Sequence, residues 1–262
     1  MNILDTIVAK KKIEVAEKKS VTSVSELEKG RLYKNETLSF AEYLLRKDKT
    51  GIIAEYKRKS PSKGIINGTS TVAEVTTAYV ENGASAISVL TDKDFFGGSL
   101  TDLLEATINE IPLLRKDFII DEYQLVESKA NGAEVILLIA ACLSAPEVKK
   151  FASFAKNIGL NVLLEIHNEQ ELDHICDEVD VVGVNNRDLK TFTVDINRSI
   201  ELSTKIPGDK IKISESGIDT VASIELLQQH GFKGFLIGEK FMKEENPGLA
   251  FQSFANELKR KQ

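Results

Sequence analysis

Ionisable and amide side chains end several short apolar runs of this sequence. They are two lysines, three glutamates and one asparagine: Lys57, Lys116, Glu55, Glu165, Glu215 and Asn185. A lysine in a partly dry pocket can serve as a general acid, and a glutamate beside it as a general base. The set holds no histidine, nucleophilic cysteine or serine–histidine pair. These residue types therefore predict proton-transfer chemistry, provided that the six side chains share one cavity.

A metal site is the competing interpretation of three glutamates. Two lysines among them would repel a divalent cation, which argues against this interpretation. The histidines His167, His174 and His230 are scattered, and Cys142 and Cys176 form no CxxC pair. We therefore predict no metal site. The cysteine usage fits a reducing compartment.

The apolar runs recur eight times beyond residue 50, with amphipathic stretches between them. The predicted strands cover residues 51–56, 85–90, 111–117, 134–140, 161–166, 180–185, 211–216 and 235–239. Each is rich in Val, Ile and Leu, as strands covered on both faces are. Stretches such as 71–83, 121–132, 143–159 and 219–231 are typical of helices, the third with Ser144 as N-cap. Eight strand–helix units predict an α/β fold, a closed (β/α)8 barrel, rather than an open sheet.

Residues 1–49 precede the first predicted strand. Within them, ILDTIVAKKKIEVAEKKS has apolar residues at helical spacing, so we expect one or two extra helices packed on the barrel. No linker or low-complexity segment interrupts the chain. We therefore expect one domain over residues 1–262, with residues 1–49 as a helical extension.

Composition and the chain start limit the possible partners and location. The net charge of -6 argues against nucleic acid as the main partner. The first residues have neither a long apolar core nor a small-residue cleavage site, so we expect no signal peptide. No apolar run approaches the length of a membrane span. These features predict a cytoplasmic protein without a membrane partner.

Strand parity gives the central side chains a common direction. Residues two apart on a strand share a face. Leu114, Leu163 and Ile213 stand two residues before Lys116, Glu165 and Glu215, respectively. A single charged strand end is ordinary at a protein surface, but five of the eight predicted strands end in this way. In a barrel of this kind the active site lies at the carboxyl ends of the strands, so we predict one cavity there.

The loops after the last two strands favour phosphate binding. SESGI places Ser216 and Gly217 after the seventh strand, and LIGEK places Gly238 and Glu239 after the eighth. Barrels often bind phosphate at these loops through backbone N–H groups. Ser60, in the loop after the first strand, can add a contact. The alternative is that both glycines serve only the turns.

An apolar wall for an aromatic ring is a further possibility. The side chains that could form it are Phe95, Phe96, Phe118 and Leu137. Ordinary core packing explains each of them equally well.

The segments IIAEYKRKSPSKG, ASAISVLTDKDFFGGS, LLRKDFIID, LLEIHNEQEL, GVNNRDLKTF, ISESGI and LIGEKFM together resemble the indole-3-glycerol-phosphate synthase family. They follow the family's order and spacing, and the resemblance covers the whole chain. It implies a carboxy-lyase of tryptophan biosynthesis. The implied reaction converts 1-(2-carboxyphenylamino)-1-deoxyribulose 5-phosphate into indole-3-glycerol phosphate, carbon dioxide and water, without metal or organic cofactor.

The resemblance also implies catalytic roles. Lys116 is the general acid at the ribulose carbonyl, and Glu165 takes up a proton and assists the later loss of hydroxide. Lys57 binds anionic groups of the substrate, and the division of acid roles between Lys57 and Lys116 stays open. The residues that orient the lysines and the substrate are Glu55, Asn185 and Glu215.

Binding roles follow from the same resemblance. The residues around the phosphate are Ser60, Ser216, Gly217, Gly238 and Glu239. The residues that contact the remainder of the substrate are Phe96, Phe118, Leu137 and Arg187, the first three of which enclose the anthranilate ring. Glu239 and Lys240 stand where some members of the family carry small residues.

Two other functions are compatible with the same residues. A phosphosugar aldolase would use Lys116 as a Schiff base. A catalytically inactive barrel would only bind a phosphorylated ligand, although such a binder has no need of Glu165 opposite Lys116. We expect the lyase, acting as a monomer.

Overall fold

The computed structural model describes residues 3–189 and 191–261, and eight parallel strands form its centre. They are β1 (Ile52–Tyr56), β2 (Ala86–Leu90), β3 (Leu113–Lys116), β4 (Val135–Ile139), β5 (Asn161–Ile166), β6 (Val181–Asn185), β7 (Ile211–Glu215) and β8 (Phe232–Ile237). Each pairs with the next in chain order, and β8 pairs with β1 to close the barrel. The predicted (β/α)8 barrel is confirmed.

The predicted bounds of β8 are wrong at its start. The strand begins at Phe232 rather than at residue 235, whereas the other strands agree with the prediction to within two residues. Lys233 is exposed on this strand, and the pairing with β7 shifts register between Phe232 and Gly234. A charged residue and a glycine hide the strand pattern, because both are depleted in regular strands.

Helices lie between the strands and before β1. They are α1 (Ile3–Val21), α2 (Val24–Leu27), α3 (Phe40–Leu45), α4 (Val72–Glu81), α5 (Lys93–Phe96), α6 (Leu100–Ala106), α7 (Glu122–Ala130), α8 (Ala145–Asn157), α9 (Asn197–Ser203), α10 (Val221–Gln229), α11 (Glu239–Met242) and α12 (Pro247–Lys259). Short 3₁₀ helices cover Arg31–Lys34, Ala140–Cys142 and Glu169–His174. Among the residues described, no helix has the length and apolarity to cross a membrane.

Local sequence signals explain several helix starts. Thr71 and Ser144 each form a capping box with a glutamate three residues later, at the starts of α4 and α8. Such a cap satisfies two otherwise unpaired backbone N–H groups and stabilises a helix by about 1 kcal/mol. The predicted N-cap role of Ser144 is confirmed.

The N-terminal extension is more divided than predicted. Residues 3–49 form three α-helices and a 3₁₀ helix, because loops interrupt the pattern after Val21. In α3, Phe40 and Leu44 are buried in the same apolar cluster as Ile53, Leu163 and Ile213 of the barrel interior. This helix therefore closes the amino-terminal end of the barrel, leaving the carboxyl end for a cavity.

Strand alternation separates two apolar layers. One fills the barrel and includes Ile53, Leu114, Leu163 and Ile213. The other lies between strands and helices and includes the neighbouring Ile52. Burial of each such side chain stabilises the fold by about 1.5–3 kcal/mol. The predicted inward parity is confirmed, and it carries through to Lys116, Glu165 and Glu215 at the strand ends.

Candidate active site

A cavity opens at the carboxyl ends of the barrel strands, and nearly all the predicted site residues line it. They are Glu55, Lys57, Ser60, Phe96, Lys116, Phe118, Leu137, Glu165, Asn185, Arg187, Glu215, Ser216 and Glu239. The two predicted glycines, Gly217 and Gly238, directly adjoin Ser216 and Glu239 in the chain. The fold thus brings together side chains from all parts of the sequence.

Lys116 stands between two glutamates inside this cavity. Its Nζ lies 2.9 Å from Glu165 Oε2 and 3.4 Å from Glu215 Oε2. Burial alone would lower the pKa of Lys116, but the negative charges of Glu165, Glu215 and Glu55 outweigh burial and raise it. The amine is therefore protonated at neutral pH and can donate a proton.

The two glutamates beside Lys116 have pKa values shifted in opposite directions. Burial, together with the charges of Glu165 and Glu55, raises the pKa of Glu215 to about 7 against the opposing effect of Lys116. Burial also acts on Glu165, but Lys116 and His167 outweigh it and hold the pKa of Glu165 below its ordinary value. Two carboxyl groups with separated pKa values are typical of acid–base sites. Glu165 is the ionised member, and Glu215 titrates near neutrality.

Lys57 and Glu55 form a second ion pair at the end of β1. Their side chains meet at 2.6 Å, and Glu55 is buried. A Cβ on Gly238 would lie only 2.5 Å from Glu55 Oε1. Gly238 is therefore required by the position of Glu55, whether or not its backbone N–H contacts an anion.

Asn185 connects the ends of β6 and β7. Its Oδ1 accepts hydrogen bonds from the backbone N–H of Arg187, at 3.0 Å, and from Ser216 Oγ, at 2.9 Å. Ser216 and Gly217 both have positive φ, 69° and 72°. The left-handed conformation at Ser216 costs about 1–2 kcal/mol, and such strain is concentrated at functional sites.

The predicted phosphate loops carry mixed charges. Glu239 begins α11, and its carboxylate lies 3.6 Å from Arg187 and 3.7 Å from Lys63. Ser60 belongs to a small hairpin of Lys59–Ser60 with Gly64–Ile65 rather than to an open loop. The hairpin brings Ser60 to the same rim of the cavity as Glu239. Arg187 and Lys63 lie nearby, and their positive charges would attract an anion.

The apolar side of the cavity combines predicted and unpredicted residues. The rings of Phe96 and Phe118 lie 6.2 Å apart at 36°, and Leu137 is buried in the barrel interior. Leu4 and Ile7 of α1 add to the wall. The helical spacing of α1 was visible in the sequence, but nothing in that spacing indicated where the helix would dock.

His167 lies beside the site, and the sequence analysis did not single it out. Its Nε2 lies 3.2 Å from Glu165 Oε1. His167 lies one residue beyond the end of β5, so strand alternation gave no signal for it. Across residues 3–189 and 191–261, no three His, Cys, Asp or Glu side chains are grouped to hold a metal ion. The metal-free reaction stays a prediction.

A protonated lysine between two carboxyl groups lies at the carboxyl end of a (β/α)8 barrel, where barrel enzymes have their active sites, and such a group can transfer protons. Residues 4–254 match the model of the family described as Indole-3-glycerol phosphate synthase. The chain belongs to this family, and the resemblance seen in the sequence is confirmed. Members of the family are decarboxylating lyases of tryptophan biosynthesis, so the predicted enzyme class is confirmed as well.

Two relatives support this assignment. The chain is 44% identical to the indole-3-glycerol phosphate synthase of Bacteroides thetaiotaomicron, over 97% of each chain. It is 40% identical to that of Polynucleobacter asymbioticus, over 95% of this chain and 97% of the relative.

Two solved structures share the fold alone. One is 3-hexulose-6-phosphate synthase from Salmonella typhimurium, with a TM-score of 0.62, 9% identity, and coverage of 80% of this chain and 99% of that one. The other is tryptophan synthase subunit alpha from Legionella pneumophila, with a TM-score of 0.61, 12% identity, and coverage of 85% and 98%.

Proposed function

We propose that this protein converts 1-(2-carboxyphenylamino)-1-deoxyribulose 5-phosphate into indole-3-glycerol phosphate, carbon dioxide and water, with the site residues in the roles given below. The observation that carries this proposal is the placement of protonated Lys116 between Glu165 and Glu215, whose pKa values are separated. The reaction needs an acid that protonates an oxygen atom and a base that takes up a proton. Protonated Lys116 and ionised Glu165 can fill these two roles.

Ring closure and decarboxylation come first. Lys116 donates a proton to the ribulose carbonyl oxygen while the carbonyl carbon bonds to the ring carbon that carries the carboxylate. The bond to the carboxylate then breaks, carbon dioxide leaves, and its electron pair returns to the ring. Lys57, paired with Glu55 at 2.6 Å, attracts anionic groups of the substrate and holds the carboxylate near the reacting carbons.

Dehydration follows. The new hydroxyl group leaves as water with a proton from Lys57 or Lys116, and the carbon next to the nitrogen loses a proton to Glu165. Ring closure adds one proton to the substrate, and dehydration adds one proton and removes another. The overall reaction therefore consumes one proton, as expected when a carboxylate becomes carbon dioxide. Glu215 and Asn185 orient the amine and hydroxyl groups of the substrate during both steps.

Binding roles are proposed from the geometry of the rim. The residues proposed to surround the phosphate are Ser60, Ser216, Gly217, Gly238 and Glu239, the last through its backbone N–H. Arg187 contacts the substrate nearby, and the anthranilate ring packs among Phe96, Phe118 and Leu137. A preformed pocket with few polar groups and an apolar wall suits such a ligand.

The wider properties are proposals of the same kind. We propose one domain over residues 1–262, with residues 1–49 as its helical extension; burial of Lys11 against Asp92 and Asp117 supports a firmly docked extension. We also propose a monomer in the cytoplasm, and the net charge of -6 supports the absence of a nucleic-acid partner.

Appearance of indole fluorescence tests the proposal. Purified protein, given the carboxyphenylamino substrate without added metal, is expected to form one indole product for each carbon dioxide released. Absence of both products would contradict it. An aldolase acting through Lys116 would instead be labelled when borohydride is added with the substrate, and we expect no such label. Binding without turnover would indicate an inactive binder.

A further inference from the structure

His167 separates the catalytic cavity from a second, outer cleft. The residue lies just beyond β5 and is 8% exposed. Glu165, two residues earlier, lines the cavity, whereas His167 lines the outer cleft together with Asn168 and Glu171. Its imidazole ring is therefore placed to act on the cavity only through Glu165.

The ring is held between two carboxylates. Its Nε2 lies 3.2 Å from Glu165 Oε1, and its Nδ1 lies 3.3 Å from Glu171 Oε2. The Nε2 contact is a close ion pair whose alignment falls short of a hydrogen bond. Glu171 is itself fixed, because Oε2 accepts the backbone N–H of His167 at 2.7 Å and Oε1 accepts from Asn168 Nδ2 at 2.8 Å.

The charges around His167 favour its cationic form. Burial lowers the pKa of His167, but the contacts with Glu165 and Glu171 outweigh burial and raise it to about 9. On the 3₁₀ helix after β4, burial and the same two glutamates raise the pKa of the Cys142 thiol to about 12, so that Cys142 stays neutral. The charged groups that border the outer cleft from α1, the loop after β6 and α9 are Asp5, Asp188 and Arg198, respectively.

We propose that His167 is a positioning residue for the reaction: anchored by Glu171, it fixes Glu165 Oε1 and leaves Oε2 facing Lys116 and the substrate. The proposal rests on the proposed function of Glu165. The two oxygens of Glu165 thus have different partners, His167 on one side and Lys116 on the other. A carboxylate held at both oxygens cannot rotate away from the proton it must take up.

A second consequence concerns charge. Glu165 and Glu215 compete for the positive charge of Lys116 at 2.9 Å and 3.4 Å. A second cation beside Glu165 alone keeps Glu165 ionised and leaves the proton to Glu215. His167 therefore determines which of the two carboxyl groups acts as the base.

His167→Gln tests this role, with His230→Gln as the matched control. His230 caps the end of α10, where its ring contacts Leu226 O. For His167→Gln we expect kcat to fall by about 10- to 100-fold with little change in KM. The acid limb of the kcat profile should also move to higher pH, because loss of the cation makes Glu165 easier to protonate. His230→Gln should leave both unchanged.

If His167→Gln folds poorly, a second variant and a spectroscopic measurement still test the role of His167. Nitrogen NMR of wild-type protein should show the His167 ring titrating near pH 9. Glu171→Gln should lower this midpoint, and should shift the acid limb in the same direction as His167→Gln but by less. Failure of the wild type to form indole product would overturn the proposed function. Two results would overturn only the role of His167 while the wild type turns over normally. One is a wild-type pH profile in both variants, and the other is a His167 ring that is neutral at pH 7.

Discussion

Two buried ionic clusters lie on opposite sides of β3, one residue apart along the chain. The inner cluster, Lys116 with Glu165 and Glu215, faces the cavity. The outer cluster joins the strand end to α1, α5 and α7 and consists of Lys11, Asp92, Arg115, Asp117 and Glu127. Both contain buried charges with shifted pKa values, and they differ in how completely those charges are paired.

Every carboxylate oxygen of the outer cluster has a partner. Lys11 lies 3.0 Å from both Asp92 and Asp117, and Arg115 lies 3.0 Å from Asp117 and 2.8 Å from Glu127. Backbone N–H groups of Phe95 and Phe118, Thr91 Oγ1 and the Lys18 amine complete the set. Asp117 also borders the cavity, yet both of its oxygens are occupied. A fully paired network of this kind rigidifies a fold.

The inner cluster is incompletely paired. Glu215 Oε1 is buried and finds no hydrogen-bond partner within the described residues. A Cβ on Gly183 would collide with that oxygen, so glycine is required opposite it. An unpaired buried oxygen beside a cavity is costly unless a ligand uses it. The comparison teaches that shifted pKa values alone do not identify a functional site. A buried carboxylate oxygen that lacks a partner beside an open cavity is the more specific sign.

Lys116→Ala should have the largest effect on activity. Loss of a general acid typically reduces kcat by about 10²–10⁴-fold. Lys156→Ala, which removes an exposed lysine on α8 paired with Asp180 at 2.7 Å, should leave kcat unchanged. Turnover of Lys116→Ala within a few-fold of wild type would remove Lys116 from its role.

Glu165→Gln preserves shape and removes the base. We expect kcat to fall by a similar order, about 10²–10⁴-fold, with substrate affinity much less affected. Equilibrium binding of substrate and single-turnover rates separate the two effects. If affinity collapsed while bound substrate still reacted normally, Glu165 would be a binding residue.

Lys11→Met should act on stability instead. Removal of Lys11 leaves buried Asp92 without a cation and takes one of two cations from Asp117. Loss of one partner from a buried ion pair costs about 3–5 kcal/mol of unfolding free energy. Urea unfolding measures this loss, and kcat per folded molecule should stay within a few-fold of wild type. A stable Lys11→Met protein would mean that the outer cluster contributes little to the fold.

The pKa of Glu215 predicts a pH dependence of stability. It is raised to about 7 from an ordinary value of 4.5, so the folded protein binds more protons than the unfolded chain between these values. The contribution of Glu215 is therefore complete below pH 4.5 and is lost as pH rises through 7, by about 1–3 kcal/mol. Unfolding free energies of wild type and Glu215→Gln from pH 5 to 8 test it. Wild-type stability minus that of Glu215→Gln should fall as pH rises over this range, and a value that stays constant or rises would contradict the prediction.

Glu239→Ala should have the smallest effect. It keeps the backbone N–H proposed for phosphate binding and removes a carboxylate that faces Arg187 and Lys63. We expect KM to change by less than about 3-fold, and downward, because two nearby cations are released. A large rise in KM would mean that the Glu239 side chain itself binds the substrate.

The inner cluster was predictable from the sequence and the outer one was not. Strict alternation along β3, β5 and β7 determines the direction of Lys116, Glu165 and Glu215 before any packing is known. In the segment AKKKIE nothing distinguishes Lys11 from the lysines beside it. Its burial depends on which face of α1 packs against the barrel. His167 was missed because it lies beyond the predicted strand 161–166 and its position depends on the chain that follows the strand. Contacts between distant segments, such as Lys11 with Asp117, leave no local pattern.

A crossed measurement of kcat and unfolding free energy for Lys116→Ala and Lys11→Met tests most directly whether the inner cluster catalyses and the outer cluster stabilises. Lys116→Ala should lose at least about 100-fold in kcat. It should lose less than about 2 kcal/mol in stability, because cavity water and a proton on Glu215 compensate the remaining carboxylates. Lys11→Met should show the reverse, with the larger loss in stability and near-normal kcat per folded molecule. If both variants lost activity and stability in equal proportion, the two clusters would be one functional unit and the account would be wrong.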